Sequence, residues 1–374
     1  MKVVHVISSG GLYGAEFMLM RAVAAQRKQG IDAVIGDVTA AGRASALADA
    51  ARQRGLPVIP FEMRDGFDPF GARRMFHALR DQNFEIVHSH GYKMNVHVGM
   101  LAPSLRWART VATVHGWTAT SGFGKAMLYQ WLDARALRAF NHVVFVSPAM
   151  KNREQLKALR HVSVIENGIE FANTSAGHRA APAPRETRVL VVGRLSPEKG
   201  FDLMLRAAAR LHAQGKIGHL TIAGDGALRA ELTALATSLG IADRVTFAGF
   251  VDNMDALYAS HDVLVLSSRT EGLPMTLLEA ISQRLPVVAT RVGGMPDVLD
   301  DGVGGVLVAP ENAEALAEGI ASVVDDPAGA RARADVAWQR ARARYGVESM
   351  ARQYIDVYSH LLADARAKHE TVSG

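Results

Sequence analysis

The sequence predicts two doubly wound α/β domains in tandem, and three observations carry that expectation. The chain has 374 residues, more than one hydrophobic core usually organises, so two domains of roughly 170 to 200 residues are expected. Strand-like apolar runs alternate with helix-like segments along the chain, the pattern of parallel α/β layers. The stretch Phe171 to Thr187, rich in Ala, Pro and small polar residues, has no periodicity; it reads as a linker and divides the alternation into two series.

In the first series the apolar runs are Lys2 to Ser8, Asp32 to Asp37, Pro57 to Phe61, Ile86 to His88, Thr110 to His115, His142 to Ser147 and Val162 to Glu166. Helices such as Ala15 to Gln29 and Arg43 to Arg54 lie between them. The second series runs Arg188 to Val192, His219 to Ala223, Val245 to Phe247, Val263 to Leu266, Val287 to Thr290 and Gly305 to Val308. Its intervals are filled by helices at Gly200 to Gln214, Ala227 to Leu239, Asp252 to Ser260 and Pro274 to Arg284, the last opening on a proline suited to a first helical turn. A final helix pattern, Met350 to Ala365, has no strand after it and is expected to cross back over the first domain. The polar residues Lys368 to Gly374 are expected to fray. These boundaries give a first domain of residues 1–168, completed by a helix at about 346–367, and a second of residues 169–345.

Hydrophobic residues at 49% and charged residues at 21% are ordinary for a globular protein and argue against extended disorder. No apolar run is long enough to cross a bilayer, and the opening ten residues are too short and strand-like for a signal peptide, so a cytoplasmic protein is expected. The absence of cysteine excludes disulfides, thiolate metal sites and a cysteine nucleophile. The net charge of +5 is unevenly placed: between His88 and Arg160 ten basic residues face two acids, a local net of +8 that attracts anions. The same region holds an amphipathic segment, Gly124 to Phe140, that can lie on an anionic membrane surface or pack its apolar side on the protein's own sheet. Nucleic acid is not an expected partner, because aromatic residues total 6% and no helix-turn-helix or RNA-binding signature is present.

The chemistry concentrates at strand ends. Glu271 and Glu279 stand eight positions apart in Glu271-Gly-Leu-Pro-Met-Thr-Leu-Leu-Glu279, after a buried strand and into a helix. Open α/β sheets bind ligands at the carboxyl ends of their strands, and two acids about two helical turns apart can hold different parts of one elongated ligand. The opening strand ends in Ser8-Ser-Gly-Gly-Leu-Tyr-Gly-Ala-Glu16, whose glycines let backbone amides approach a phosphate at a helix N-terminus. This is not the Gly-x-Gly-x-x-Gly of a nicotinamide site. In Val191-Val-Gly-Arg-Leu-Ser-Pro-Glu-Lys-Gly200, Arg194 and Lys199 are paired cations beside a helix start, able to neutralise a diphosphate without a metal.

Taken in order, Gly193-Arg194-x4-Lys199-Gly200, Ala223-Gly-Asp-Gly226, Phe247-Ala-Gly-Phe250, Glu271-Gly-Leu-Pro-x4-Glu279 and Val292-Gly-Gly294 resemble the retaining glycosyltransferases of family 4. Short members of this set are common singly, but the ordered set is specific and spans almost the whole chain. Asn167-Gly168-Ile169 resembles the family's crossover between domains, and Gly11 with Gly14 fits its first glycine loop. The resemblance implies the GT-B fold, two Rossmann-like domains facing each other across a cleft. It assigns Arg194 and Lys199 to a donor diphosphate, Glu279 to the ribose and Glu271 to the donor sugar, with Gly193 also in the donor site. Gly224 joins the donor site, backbone around Gly272, Leu273, Pro274 and Met275 holds sugar hydroxyls, and Phe250 and Val251 border the base. His115, which ends a strand, is expected to orient donor sugar and acceptor, with His90 and Lys93 on the acceptor side. His88, His90 and His115 also have the look of a metal site, but no carboxylate ligand stands near them in the sequence, so neither metal nor cofactor is expected.

The implied reaction moves a sugar from a uridine- or guanosine-diphosphate donor to a hydroxyl acceptor with retained configuration, by attack on the face the phosphate leaves. A covalent role for Glu271 is the less favoured route. The basic first domain points to a membrane-embedded or anionic acceptor, such as a lipid-linked glycan in bacterial surface polysaccharide synthesis. Two rival readings are a nucleotide-sugar epimerase on the same fold and a non-catalytic nucleotide-sugar-binding regulatory subunit.

Overall fold

The structure, a computed structural model, describes residues 1–8, 11–12, 14–102, 105, 107–115, 125–146, 156, 159–171 and 186–373, with backbone only for 125–130 and 368–373. Expectations for Ser9 and Gly10, for 116–124, for Ser147 to Glu154 and for 172–185 therefore lie outside the described residues. The chain divides into two compact units, residues 1–168 with 345–374, and residues 169–344.

In the first unit the strands are β1 (Lys2–Ile7), β2 (Asp32–Thr39), β3 (Val58–Glu62), β4 (Ile86–His90), β5 (Arg109–Val114), β6 (His142–Phe145) and β7 (Val162–Val164). They form one parallel sheet in the order β3-β2-β1-β4-β5-β6-β7. The helices are α1 (Gly14–Lys28), α2 (Ala46–Gln53), α3 (Pro69–Asp81), α4 (Tyr92–Leu101) and α5 (Lys125–Leu137). Local chemistry sets their starts: Ser45 Oγ accepts from the Ala48 amide, which moves the start of α2 past the expected Arg43, and Asp68 caps the Gly71 amide ahead of a first-turn proline.

The long C-terminal helix, Val347–Ser373, closes this unit, as the strandless helix pattern predicted. Val347, Met350, Ala351, Tyr354 and Tyr358 are buried with Val3, Met18, Ile86, Val111, Val144 and Ile165, so the helix covers one face of the sheet. Each fully buried Val or Met there contributes about 1.5–3 kcal/mol. The expected fraying from Lys368 is not seen in the backbone, which stays helical to Ser373; no Gly or Pro interrupts the segment before Gly374.

The second unit repeats the plan with β8 (Arg188–Val192), β9 (His219–Ala223), β10 (Val245–Gly249), β11 (Val263–Leu266), β12 (Val287–Thr290) and β13 (Val306–Val308), ordered β10-β9-β8-β11-β12-β13 and parallel. Its helices are α6 (Phe201–Ala213), α7 (Arg229–Ser238), α8 (Met254–Ser260), α9 (Met275–Ser282), α10 (Met295–Val298), α11 (Ala313–Asp325) and α12 (Pro327–Tyr345). Phe171, expected at the start of the linker, is instead buried, its ring edge-on to Trp338 at 6.0 Å.

In each sheet the strand order reverses at one central pair, β1 beside β4 and β8 beside β11. Loops leaving such a pair diverge to opposite sides and open a crevice at the strand ends. Among the described residues, no helix is long and apolar enough to cross a membrane.

Candidate active site

In the second unit the crevice outside β8 and β11 gathers the predicted donor residues. After β8 the chain makes a short 3-10 turn, Pro197–Lys199, and enters α6 through Gly200. Gly200 has φ +63°, and a Cβ there would lie 2.1 Å from the Ser267 carbonyl oxygen, so only glycine lets this turn press against the end of β11. Ser267 Oγ donates to the Lys199 carbonyl at 2.9 Å, fixing the turn from the other side.

Lys199 is thereby aimed at Glu271: Nζ donates to Oε1 at 2.5 Å, with Lys199 23% and Glu271 10% exposed. Ser268 Oγ donates to the same oxygen at 2.8 Å. Arg269 locks the two loops together, with both guanidinium amines on Asp202 at 2.8 Å, its backbone amide on the Glu198 carbonyl and a further ion pair to Glu311. The Arg269 hydrogen bonds hold the Asp202 carboxyl below the usual aspartate range. Sequence reading missed Ser268, Arg269 and Asp202, because their roles depend on two loops meeting.

Arg194, the other cation of this loop, is placed differently from Lys199. Its side chain is 75% exposed and bonded to Glu198 at 3.2 Å, an arrangement natural to an i, i+4 pair of opposite charges on a turn. Lys199 alone is held at the end of β11.

Only the second half of the stretch from Glu271 to Glu279 is helical, not the two turns expected. The helix begins at Met275, so Glu279 stands about one turn into α9 and Glu271 lies in the loop before it. Tyr258 Oη, on α8, donates to Glu279 Oε2 at 2.9 Å; burial and the adjacent carboxylate push the phenol well above its ordinary range, so it remains a donor. Tyr258 was not foreseen either. Pro274 precedes α9 without side-chain capping, and the loop Glu271–Leu273 leads into that start. Gly293 and Gly294 brace this loop from β12: the Gly294 amide donates to the Gly272 carbonyl at 2.8 Å, and a Cβ on Gly293 (φ +56°) would lie 2.2 Å from the Glu271 carbonyl oxygen.

At the other end of the crevice, the Gly193 amide donates to the Ala223 carbonyl at 2.9 Å and the Gly224 amide to the Gly249 carbonyl at 2.7 Å, tying the ends of β8, β9 and β10. Phe250, just beyond, is 86% exposed and Val251 half-buried, so Phe250 offers an open aromatic face.

In the first unit, parallel register places His5 beside His88 and Ile7 beside His90. His5, His88 and His90 are fully buried, and His115, half-buried, continues the row across the end of β5. His5 Nδ1 meets His90 Nε2 at 3.0 Å, and His90 Nδ1 meets His115 Nε2 at 3.0 Å. Burial lowers the pKa of His5 and of His115 to about 4 and drives those of His88 and His90 well below the ordinary value, so the row is neutral near neutrality. The metal-like triple is His5, His88 and His90, whose ligand atoms lie within 4.8 Å of one another, rather than the one containing His115. Both ring nitrogens of each are already engaged by protein groups, which a metal ion would have to displace.

Lys93, in the first turn of α4, is half-buried, and Gly11 and Gly14 border the loop into α1. Of the amphipathic segment, Ala134 and Leu137 join the first unit's core while Trp131 is 62% exposed; the side chains of Met127 and Leu128 lie outside the described residues.

Two family models match the chain, Glycosyltransferase Family 4 over residues 13–173 and Glycosyl transferases group 1 over residues 178–341. The alpha-D-kanosaminyltransferase of Streptomyces kanamyceticus is 33% identical over 175 residues, 46% of this chain and 45% of that enzyme. The D-inositol 3-phosphate glycosyltransferase of Rhodococcus opacus is 30% identical over 330 residues, 76% of this chain and 73% of that enzyme. The chain thus spans less than half the length of the first relative and nearly three quarters of the second. Among solved structures, Anabaena HepE in complex with UDP superposes with a TM-score of 0.75 at 21% identity, covering 96% of this chain and all of that one. The ordered loops at both switch points, the two family models and the long alignment to the Rhodococcus enzyme lead to one conclusion: the chain belongs to glycosyltransferase family 4, of the group 1 glycosyl transferases.

Proposed function

We propose that the protein transfers a sugar from a nucleoside diphosphate sugar to a hydroxyl acceptor with retention of configuration. The observation that carries this reading is the buried-side pairing of Lys199 with Glu271 at the β8/β11 switch point, beside the start of α9. As the glycosidic bond to phosphate lengthens, positive charge grows on the sugar and negative charge on the departing diphosphate. A lysine fixed by Gly200, Ser267 and Glu271 needs little rearrangement to meet that charge, which is how preorganised electrostatics lowers a barrier. Arg194, exposed on the surface of the turn, folds onto the outer phosphate once the donor arrives. Glu279, held by Tyr258, accepts from the ribose hydroxyls, and Glu271 from a hydroxyl of the sugar. The amides of Leu273 and Met275 donate to further sugar oxygens, and proline contributes only its carbonyl. Phe250 and Val251 border the base.

In this reading His115 orients the acceptor against the donor sugar, and the leaving phosphate takes the acceptor proton on the face it vacates. The cations serve where other transferases use a metal ion, so activity persists in a chelator. UDP, present in the HepE complex, makes uridine the first base to try. The acceptor is anionic or lipid-linked: the +8 charge of His88 to Arg160 favours it, and the name of the Rhodococcus relative describes an anionic hydroxyl acceptor. A place on the inner face of the plasma membrane, in surface glycan synthesis, follows from a lipid-linked acceptor.

Thermal-shift measurements against uridine-, guanosine- and adenosine-diphosphate sugars test the donor, because a ligand that binds only the folded state raises Tm. Stabilisation by one base and none by the others is expected, and no stabilisation by any would refute the reading. Donor consumed only when acceptor is present separates a transferase from an epimerase, which converts donor alone, and from a binding subunit, which converts nothing.

A further inference from the structure

The neutral histidines of the first unit form a hydrogen-bonded row with a direction, and one residue sets it. Gln26, fully buried on α1, donates from Nε2 to Tyr358 Oη at 3.4 Å, which turns its Oε1 toward His5 Nε2 at 2.8 Å. A carbonyl oxygen only accepts, so His5 carries its proton on Nε2. A neutral imidazole has one N–H, so His5 Nδ1 is an acceptor and His90 Nε2 is the donor across their 3.0 Å contact. The same logic passes one step on: His90 Nδ1 accepts, and His115 Nε2 donates to it at 3.0 Å. His115 is left with a bare lone pair at Nδ1, a buried atom with no hydrogen-bond partner among the described residues.

A side branch is compatible with this direction: Tyr358 Oη accepts from Gln26 and has its own proton to offer His88 Nδ1 at 2.6 Å, which would leave His88 Nε2 to donate to Thr113 Oγ1 at 2.8 Å. Reversing the Gln26 amide would reverse every proton along His5, His90 and His115, because each neutral ring has one N–H and one lone pair.

We propose that Gln26 is a positioning residue that fixes the tautomer of His115 through His5 and His90, so that His115 presents an accepting Nδ1. A buried lone pair calls for a donor. A sugar or acceptor hydroxyl supplies one, whereas phosphate and carboxylate oxygens bring only further lone pairs. The identity of that hydroxyl rests on the glycosyltransferase reading; the tautomer does not.

Two-bond 1H–15N correlation spectra of the full chain, with ring-15N histidine and signals assigned through single His→Asn variants, read the tautomer directly. The expected result is a protonated Nε2 and a pyridine-like Nδ1 for His5, His90 and His115; a protonated Nδ1 on any of them overturns the proposal. Gln26→Leu removes the acceptor and is expected to give His115 mixed tautomers, while a pure Nε2–H signal retained in this variant would refute the role of Gln26. Should Gln26→Leu fail to fold, Gln26→Glu decides. A carboxylate still accepts from His5 and also accepts from Tyr358, so His115 keeps Nε2–H and His88 carries Nδ1–H to donate to Tyr358. A His115 that switches to Nδ1–H overturns the proposal. Failure of wild-type protein to transfer sugar from any donor would refute the proposed function while leaving these spectra interpretable.

Discussion

Lys199 Nζ stands 2.5 Å from Glu271 Oε1, although 72 positions separate the two residues in sequence. The contact exists because β8 and β11 are neighbours in the sheet and their loops meet at the strand ends. Replacing Lys199 with methionine keeps much of the side chain's bulk and removes the charge. Turnover is expected to fall by about 10²–10³-fold, the loss usual for one preorganised group stabilising a transition state. Near-normal kcat in Lys199→Met would remove Lys199 from the mechanism. Glu271→Gln tests the partner in the same assay and is expected to lose a similar factor.

Tyr258→Phe deletes the hydroxyl that orients Glu279 while leaving the ring in its buried place. Loss of one such hydrogen bond to a charged group costs about 1.5–3 kcal/mol. The expected readout is a lower Tm together with weaker nucleotide binding in calorimetry. Unchanged affinity would mean that Glu279 holds its position without the tyrosine.

Gly200→Ala places a Cβ 2.1 Å from the Ser267 carbonyl at a left-handed backbone position. Strain of this kind costs on the order of 1–3 kcal/mol. The expected outcome is a fall in urea midpoint together with a fall in kcat, because the same turn carries Lys199. Full activity alongside reduced stability would show that Lys199 tolerates a shifted turn.

The histidine row makes stability depend on pH. Burial lowers His5 and His115 from 6.5 to about 4, so between those values the unfolded chain binds protons that the folded chain refuses. Stability is therefore full above about pH 6.5 and declines as the pH falls toward 4. For fully buried His5 alone the loss is about 3 kcal/mol across that window. Urea unfolding at pH 7.5 and pH 5 checks this, and a midpoint that does not fall at pH 5 would contradict it.

Exposed Trp131 and the basic residues of the first unit are expected to favour anionic membranes. Cosedimentation with vesicles containing phosphatidylglycerol should exceed that with phosphatidylcholine alone and should weaken with salt. Equal binding to both would leave a soluble acceptor as the better account.

The alternation of short apolar runs with helical segments determined the fold class, since strand and helix periods are written in consecutive residues. Motifs contained within one loop were legible for the same reason: the loop of Lys199, the loop of Glu271 and the strand end at His115 all lie where the sequence put them. Helix boundaries were less so, because caps such as Ser45 and the αL turn at Gly200 act through backbone geometry. Tertiary structure decided which loops meet. Strand order brought Glu271 to Lys199 and left Arg194 with Glu198 at the surface, a difference between the two cations that sequence proximity does not show. It also supplied Tyr258 to Glu279 and joined Gln26, His5, His90 and His115 into one row that Tyr358, from the far end of the chain, helps to orient. Such pairings depend on crossovers between strands, and a crossover leaves no periodic mark on the residues it joins.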